Sequence, residues 1–559
     1  MSAWWLDLSE LGVCVTMPTT KSSCRRQVVA SPFGSRARSA HLARRPVIMM
    51  YLCLLVSAAA SLSPAAGTSP FCAADAPDSW PRFHASDADN GTWHRGAHDA
   101  NGIFSHGEYR HVMNQRAGGW GHVVSTDWVT WERLPLALAP GHGGLDFDGG
   151  VSVVNGVPVI MWDCTNDPVC NSTDSLVRGD APIVGVARPA DAAGDPKLAV
   201  WVKDPHNPIV VDKGAGHYNA PSNIWSPSPG RWDILFCLGW DPTWKGPITT
   251  ALYTTTDPEL HSWTQRNASF FTPHYGGGGS FWPIPGVLPT ATLSHMLSAD
   301  FGGHDGRGTF ALGHYDAAAE TFTQATEKGG VVDFSSGVRY FELGYSPPAA
   351  ASLSQSERLV MVGWTSAYTS MTIVREISFD AELQQLLAVP VVELAGLRGA
   401  RIDDGKSAKT LAPKQKLVVA HGAAARSADL ELNFTLPTGE WQATVSALDG
   451  SAALTLSGNA SAPRAMQVRL AGTKTPYEIA LKPGEASIAV RVLADKVIAE
   501  FFVQGGRAVG TFGLSAGVAA ANATMAVVAD VGALSLTSVA AWTMKCGWKS
   551  NDGARTAEV

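Results

Sequence analysis

Short apolar or alternating runs, separated by turn residues, fill the chain from about residue 81 to residue 393. Clear examples are residues 150–162, 231–238, 309–315 and 358–364. The dipeptide Asn155-Gly156 interrupts the first of these runs, and it supplies the positive φ angles that a two-residue hairpin turn needs. Many short strands joined by such turns predict an all-β fold, either a propeller or a sandwich. The spacing of the strands does not by itself give a number of blades.

The composition agrees with short strands and excludes some classes of partner. Hydrophobic residues make up 45% of the 559 residues and charged residues 16%, with 56 Gly and 34 Pro. A chain of this length exceeds one compact core, so we expect two folded domains behind an N-terminal leader. The formal net charge is -7, which argues against binding to nucleic acid and favours a neutral ligand.

Changes in pattern along the chain predict the domain boundaries. Residues 1–66 form a leader, and residues 81–395 form the first strand-rich domain. Residues 396–416 are polar and irregular, as expected of a linker, and residues 417–546 form a second strand-rich domain before a tail at 547–559.

The leader contains a targeting signal. An apolar run at residues 47–62 follows Arg44 and Arg45 and precedes small residues, which is the arrangement of a secretory signal peptide or, alternatively, of a short signal anchor. The sequence therefore predicts secretion or residence in the endomembrane lumen, with no other membrane contact. Six Asn-x-Ser/Thr sequons are compatible with a glycoprotein; they begin at Asn90, Asn171, Asn267, Asn433, Asn459 and Asn522.

The cysteines are few. Cys164 and Cys170 flank an Asp-Pro turn and are close enough in sequence to form a disulfide across a short loop or to remain unpaired. No cysteines show the paired spacing of a zinc site. The sequence predicts neither a metal nor a cofactor.

One constellation carries chemistry. A lone carboxylate lies on a tight turn at His98-Asp99-Ala100-Asn101-Gly102, and the segment 120–138 adds Trp, His and a Trp-Glu-Arg-Leu-Pro run. Together these segments resemble glycoside hydrolase family 32, the invertases, levanases and inulinases, whose nucleophile lies in an Asn-Asp-Pro-Asn-Gly turn. The resemblance extends through the second domain and implies a five-bladed β-propeller at 81–395 followed by a β-sandwich at 417–546.

The resemblance implies three carboxyl groups, of which the chain keeps one. Asp99 takes the position of the nucleophile that forms the covalent intermediate in retaining glycosidases. Ala220 takes the position of the aspartate that stabilises the transition state, with Asn219 in the preceding arginine position. Pro283 takes the position of the acid/base glutamate, and proline has no proton to donate.

Other residues are expected to contact the sugar. The resemblance points to Asn101, Asn114 (or its neighbour Gln115), Trp120, Asp148 and Asn219. Asp148 and Asp146 lie where the family has a Ser-Gly-Ser segment; one of them supplies an acidic group to the pocket, or both are turn formers in a Gly-rich segment. His217 is another possible proton donor, or simply a surface histidine.

In the second domain, Asp495, Glu500 and Phe502 match a family signature, and we interpret the two carboxylates as a structural pair. Two hypotheses for function remain. One is a β-fructofuranosidase that acts on sucrose or fructans with impaired activity, because two carboxyls are replaced. The other is a catalytically inactive protein that binds carbohydrate in the same pocket.

Overall fold

A computed structural model of the chain describes residues 70–549, apart from gaps. The longer gaps are 87–96, 140–147, 171–182, 212–220, 239–248, 272–278, 300–308 and 347–357. Almost all regular structure in the described residues is β-strand. The leader, including the apolar run at 47–62, lies outside the described residues, and no helix of the described part has the length and apolarity needed to span a bilayer.

Five antiparallel sheets follow one another along the chain. The first contains β1 (His98–His106), β2 (Tyr109–Arg116), β3 (Gly119–Ser125) and β4 (Trp131–Leu138). The second contains β5 (Gly149–Val154), β6 (Val157–Asp163), β7 (Ile183–Pro189), β8 (Trp201–Lys203) and β9 (Val210–Val211). The turn between β5 and β6 has positive φ at both Asn155 and Gly156, so the predicted hairpin is confirmed.

The remaining three sheets repeat the same meander. The third contains β10 (Trp225–Ser228), β11 (Arg231–Leu238), β12 (Thr249–Thr255) and β13 (Thr264–Phe271). The fourth contains β14 (Phe281–Pro283), β15 (His295–Ala299), β16 (Thr309–Asp316), β17 (Thr321–Gln324) and β18 (Gly330–Val331). The fifth contains β19 (Val338–Ser346), β20 (Arg358–Thr365), β21 (Arg375–Asp380) and β22 (Gln385–Pro390).

The first strands of the five sheets close into a ring. A Cβ on Gly102 of β1 would lie 2.5 Å from Val151 Cγ2 of β5, and a Cβ on Gly344 of β19 would collide with the Ile103 carbonyl, so glycine permits both close approaches. Asn223, just before β10, exchanges two hydrogen bonds of 2.7 and 2.9 Å with the backbone of Phe281. Meandering sheets arranged in this way form a five-bladed propeller, which confirms the expected fold class.

The C-terminal domain is a sandwich of two antiparallel sheets. One contains β23 (Arg398–Arg401), β24 (Lys409–Leu411), β26 (Ser427–Thr435), β31 (Ser487–Asp495), β32 (Ile498–Val503), β33 (Ala508–Gly513) and β35 (Leu534–Met544). The other contains β25 (Lys416–His421), β27 (Trp441–Ala447), β28 (Ala452–Gly458), β29 (Ala465–Leu470), β30 (Tyr477–Ala480) and β34 (Thr524–Val531).

The segment 396–416 is more than the irregular linker that its polarity suggested. It contains β23 and β24, which both pair with β35. The expectation failed there because the two short strands are half exposed and carry polar side chains. Their stability comes from pairing with the far end of the chain, which a local pattern does not reveal.

A buried ionic network joins the propeller to the sandwich. Arg375 of β21 binds Glu500 Oε2 at 2.6 Å and Asp333 Oδ2 at 3.0 Å. His84 donates to Asp495 at 2.9 Å through Nδ1 and to Glu500 at 3.0 Å through Nε2. All of these side chains are almost completely buried. The signature carboxylates Asp495 and Glu500 therefore hold two domains together, in agreement with their interpretation as structural residues.

The network predicts a fall in stability at alkaline pH. Although burial opposes the charge on His84, its bonds to Asp495 and Glu500 prevail and raise its pKa to about 9. A group with a raised pKa in the folded state stabilises fully below its unfolded pKa of about 6.5, and that contribution disappears as the pH rises through the folded value. We expect the thermal midpoint to decrease between pH 7 and 9.5. His84→Gln should be less stable at pH 6.5 and show a flatter decrease; parallel curves for the two proteins would contradict the assignment.

Two disulfides are present in the described residues. Cys164–Cys170 is the bridge across the short loop that the sequence allowed, and Cys72–Cys546 closes a separation of 474 residues. The second pair fixes the beginning of the propeller domain against the end of the sandwich. It was not predicted because only the fold brings these positions together.

The long-range disulfide should stabilise more than the local one. Loop-closure entropy grows with loop length, so the Cys72→Ser/Cys546→Ser variant is expected to lose about 2–4 kcal/mol of unfolding free energy. The Cys164→Ser/Cys170→Ser variant is the matched control and should lose less, since its loop is short. Denaturant unfolding of the full chain and both variants measures the difference. Equal midpoints for the three proteins would refute the expectation.

Candidate active site

Asp99 is an extra residue in the innermost strand of the first blade. His98 pairs with Gln115 and Ala100 with Asn114, so the two neighbours of Asp99 face consecutive residues of β2 and Asp99 itself is bulged. Its φ is 20°, an angle rarely adopted by residues other than glycine. Bulges next to active sites turn one side chain away from the ladder. The strained bulge thus removes Asp99 from strand pairing and leaves its carboxylate available to a ligand.

The Asp99 carboxylate is only partly satisfied within the protein. Its Oδ2 atom lies 3.2 Å from His98 Nδ1. Its Oδ1 atom is buried and has no hydrogen-bond partner among the residues that the structure describes. Burying a carboxylate oxygen without a hydrogen-bond donor costs free energy, and proteins keep such a group where function requires it. This oxygen is therefore the first candidate for contact with a substrate.

Asn101 repeats the arrangement two residues later. Ala100 pairs with Asn114 and Gly102 with Met113, so Asn101 is the extra residue of a second bulge. The side chain is fully buried, and within the described part of the chain neither Nδ2 nor Oδ1 has a hydrogen-bond partner. An amide that is buried without partners can donate to one hydroxyl group and accept from another. Asp99 and Asn101 therefore form a ready pair of sites for a polyhydroxylated ligand.

An aromatic wall lies beside this pair. The imidazole of His98 packs edge-on against Trp364 of β20, with ring centroids 5.9 Å apart. Trp364 belongs to the fifth blade, so two blades contribute to the same surface. The sequence analysis did not identify this contact because positions 98 and 364 approach each other only when the ring of blades closes.

A second carboxylate lies next to the Asp99 turn. Asp148 precedes β5 and is buried, and Gln115 Nε2 donates to its Oδ1 atom. Gln115 is the cross-strand partner of His98. Since Gly102 also packs against Val151, β1 and β5 run in the same direction, with Asp99 and Asp148 each three residues before that contact. The two carboxylates therefore lie at the same end of adjacent strands.

Asn114 and Trp120, which the sequence predicts as sugar contacts, lie on β2 and β3 beside Gln115. Asn114 Nδ2 donates to the Gln115 carbonyl at 2.7 Å, which fixes the backbone of the residue that binds Asp148. Trp120 faces Gln115 across the β2–β3 pair and is completely buried among apolar side chains between the first two sheets. In this structure Asn114 holds the backbone of Gln115, while Trp120 packs in an apolar cluster.

The structure describes only one of the two positions at which the sequence predicts a lost carboxyl group. Ala220 and Asn219, as well as Asp146 and His217, lie outside the described residues. Pro283 is the last residue of β14, where it pairs with His295, and its carbonyl accepts a hydrogen bond of 2.8 Å from Tyr345 Oη. The assignment of Ala220 and Pro283 to the stabiliser and acid/base positions stays a prediction from the sequence.

Glu342 is a titratable residue that the sequence analysis did not identify. It is buried on β19, where its Oε2 atom accepts hydrogen bonds from Ser280 Oγ and, at 3.1 Å, from the Leu343 N–H. Burial raises its pKa to about 8, so the carboxyl carries a proton at neutral pH. A single carboxylate within the apolar run Phe341 to Tyr345 was the available signal.

One group of three potential metal ligands occurs in the part of the chain that the structure describes. It consists of Asp204, His206 and His261, whose ligating atoms lie within 4.8 Å of one another. Arg188 already binds Asp204 Oδ2 at 2.8 Å, and each histidine ring lies 2.9 Å from the same carboxylate. The carboxylate charge is thus compensated by protein groups, and we assign no metal to this cluster.

A family comparison covers the propeller. The model described as "Glycosyl hydrolases family 32 N-terminal domain" matches residues 99–390. This range begins at the bulged carboxylate and ends with the last strand of the fifth blade.

Similar proteins agree with this match. The chain is 28% identical over 349 residues to a β-fructofuranosidase, insoluble isoenzyme CWINV6, of Arabidopsis thaliana, which covers 57% of this chain and 59% of the relative. The chain thus matches about three fifths of that relative's length. Fructan 1-exohydrolase IIa of Cichorium intybus shares the fold, with a TM-score of 0.66, 18% identity, and coverage of 84% and 98% of the two chains. A Bombyx mori β-fructofuranosidase variant in complex with sucrose has a TM-score of 0.61 at 16% identity, covering 84% and 95%.

Proposed function

The chain belongs to glycosyl hydrolase family 32, and from this premise we propose that it binds β-fructosides such as sucrose or a fructan and hydrolyses them slowly. The observation that carries the proposal is the pair of consecutive bulges in β1, at which Asp99 Oδ1 and both polar side-chain atoms of Asn101 have no hydrogen-bond partner among the described residues. The complex of a structural neighbour with sucrose and the name of the Cichorium enzyme support this choice of ligand.

The chemistry assigned to Asp99 is nucleophilic. The carboxylate attacks the anomeric carbon of the fructosyl unit, the glycosidic carbon–oxygen bond breaks, and the leaving oxygen takes up a proton. Water then hydrolyses the fructosyl-enzyme ester and releases fructose. With proline at the predicted acid/base position, the leaving oxygen must take its proton from a less well placed donor. The loss of a positioned acid forfeits about 10² to 10⁴ in rate, which is why slow hydrolysis is proposed.

A second candidate is carbohydrate binding without turnover. The predicted replacement of two carboxyls by Ala220 and Pro283 favours it, because these side chains neither stabilise positive charge nor move a proton. The buried Asp99 and Asn101 groups would still bind sugar hydroxyls.

A comparison of turnover with binding separates the two candidates. The purified full chain is incubated with sucrose, inulin or levan, with maltose as a control that lacks fructose, and the release of fructose and the thermal midpoint are measured. We expect slow fructose release and a raised midpoint with at least one fructoside, because a ligand that binds only the folded state stabilises it. A raised midpoint without release would establish the binding protein. Neither effect with any of the fructosides would refute the proposed function.

We also propose that the protein is secreted or enters the endomembrane lumen. The apolar run at 47–62 and its preceding arginines support a signal peptide or a signal anchor. Two disulfides within the described residues agree with an oxidising compartment.

A further inference from the structure

Asp148 lies just before β5, and its side chain contacts the first blade. Its carboxylate is buried, and its backbone carbonyl accepts a hydrogen bond of 2.9 Å from the Asp163 N–H. That backbone bond continues the ladder between β5 and β6 and is available to any residue type. The side chain, by contrast, reaches across to the first blade and accepts a hydrogen bond from Gln115. The carboxylate is therefore directed toward β2, at the residue that pairs with His98, the neighbour of Asp99 in β1.

Gln115 orients the Asp148 carboxylate, because its side-chain amide N–H donates a hydrogen bond to Asp148 Oδ1. Asn114 donates to the backbone carbonyl of Gln115 and so holds the backbone from which that amide extends. A carboxylate held in this way accepts hydrogen bonds and offers negative charge.

Slow hydrolysis of a fructoside by this chain requires such a group. As the glycosidic bond breaks, positive charge develops on the fructosyl ring, and a fixed negative charge beside the ring stabilises that charge. The family position for this role is occupied by Ala220, whose methyl group carries no charge. Asp99 acts as the nucleophile and therefore does not supply this charge. Asp148 lies at the same end of the adjacent strand, level with Asp99, and is positioned to supply the missing charge.

We propose that Asp148 is a catalytic residue, whose carboxylate binds fructosyl hydroxyls and stabilises the positive charge of the transition state in place of the residue lost at position 220. Gln115 is its positioning residue. This inference rests on the proposed function and deepens it. No proton leaves Asp148 in either step, while Asp99 forms and releases the ester.

Removal of the charge tests the proposal. Asp148→Asn keeps the shape of the side chain and a hydrogen bond to Gln115, whose amide can rotate to supply the matching atom. We expect a loss of about 10- to 100-fold in kcat/KM for sucrose, carried mostly by kcat because the interaction strengthens in the transition state. Asp449→Asn, which removes a carboxylate from the sandwich, is the matched control for net charge. Thermal unfolding of both variants verifies that they fold.

Relocation of the charge distinguishes catalysis from structural support. In Asp148→Asn/Ala220→Asp the carboxylate returns to the family position, and we expect at least a tenfold recovery of kcat/KM over the single variant. A structural role for Asp148 predicts no recovery. If the wild-type protein hydrolyses sucrose and Asp148→Asn is equally active, the role of Asp148 is wrong while the proposed function stands. If the wild-type protein binds fructosides without turnover, the catalytic role of Asp148 is overturned while binding of fructosides stands. If it neither binds nor hydrolyses them, both proposals fail.

Discussion

Asp99→Asn is expected to lower the rate of fructose release by roughly 10⁴-fold, the scale seen when a member of a catalytic unit is removed. An amide of the same shape cannot form the ester intermediate, so the reaction loses its nucleophile. The same substitution should leave the fold intact or raise the thermal midpoint slightly. Asp99 Oδ1 is buried without a donor, and neutralising that oxygen removes a desolvation cost that the folded protein otherwise carries. Initial rates and thermal unfolding on the same preparations measure both effects.

Asp127→Asn is the control from the same blade. The Asp127 carboxylate accepts hydrogen bonds of 3.0 Å from the Val129 N–H and 2.7 Å from the Thr130 N–H, and these bonds lower its pKa. Neutralising it should reduce stability and leave kcat unchanged, the reverse of the pattern at Asp99. Undiminished fructose release by Asp99→Asn would show that another residue is the nucleophile.

Arg375→Met is expected to destabilise the protein by about 3–5 kcal/mol, the usual cost of leaving buried charges without their partner. The guanidinium group is completely buried between two domains. It binds Glu500 and Asp333, donates to Thr511 Oγ1 at 2.6 Å, and lies 5.4 Å from the centre of the Phe502 ring. Its removal leaves the buried Glu500 and Asp333 carboxylates without their guanidinium partner. Denaturant unfolding measures the loss.

The exposed ion pair of Arg358 with Glu393 provides the comparison. The two side chains meet at 2.9 Å but remain about one quarter and one third exposed. Exposed pairs contribute about 0–1 kcal/mol, so Arg358→Met should change the unfolding free energy by less than 1 kcal/mol. Similar losses for Arg375→Met and Arg358→Met would mean that the buried network does not hold the domains together.

Turn chemistry and local motifs were readable from the sequence. The hairpin at Asn155-Gly156 follows from the backbone freedom of its two residues, and the Cys164–Cys170 bridge was one of the two alternatives that the sequence left open for these cysteines. The family resemblance, carried by the turn at Asp99 and the segment 120–138, was confirmed by the match over residues 99–390. Each of these features depends on residues that are near each other along the chain.

Features that depend on distant residues were not readable. The segment 396–416 looked like a linker because its strands pair with β35, more than one hundred residues away. The Cys72–Cys546 disulfide and the contact of His98 with Trp364 have the same origin. Glu342 is a single carboxylate in an apolar run of the sequence. Only its burial in the folded protein raises its pKa enough for the carboxyl to carry a proton near neutral pH.

The sequence by itself determined the class of fold and the family, because strand period, turn residues and the Asp99 motif act over short distances; Asp99 as the nucleophile stays a prediction. The tertiary structure alone decided what surrounds that residue. Strand pairing bulges Asp99 and Asn101 out of β1, and closure of the ring of blades places Gln115, Asp148 and Trp364 around them. Hydrogen bonding and burial depend on neighbours in space, so the environment of a carboxylate, and with it the chemistry proposed for it, is fixed only when the blades meet.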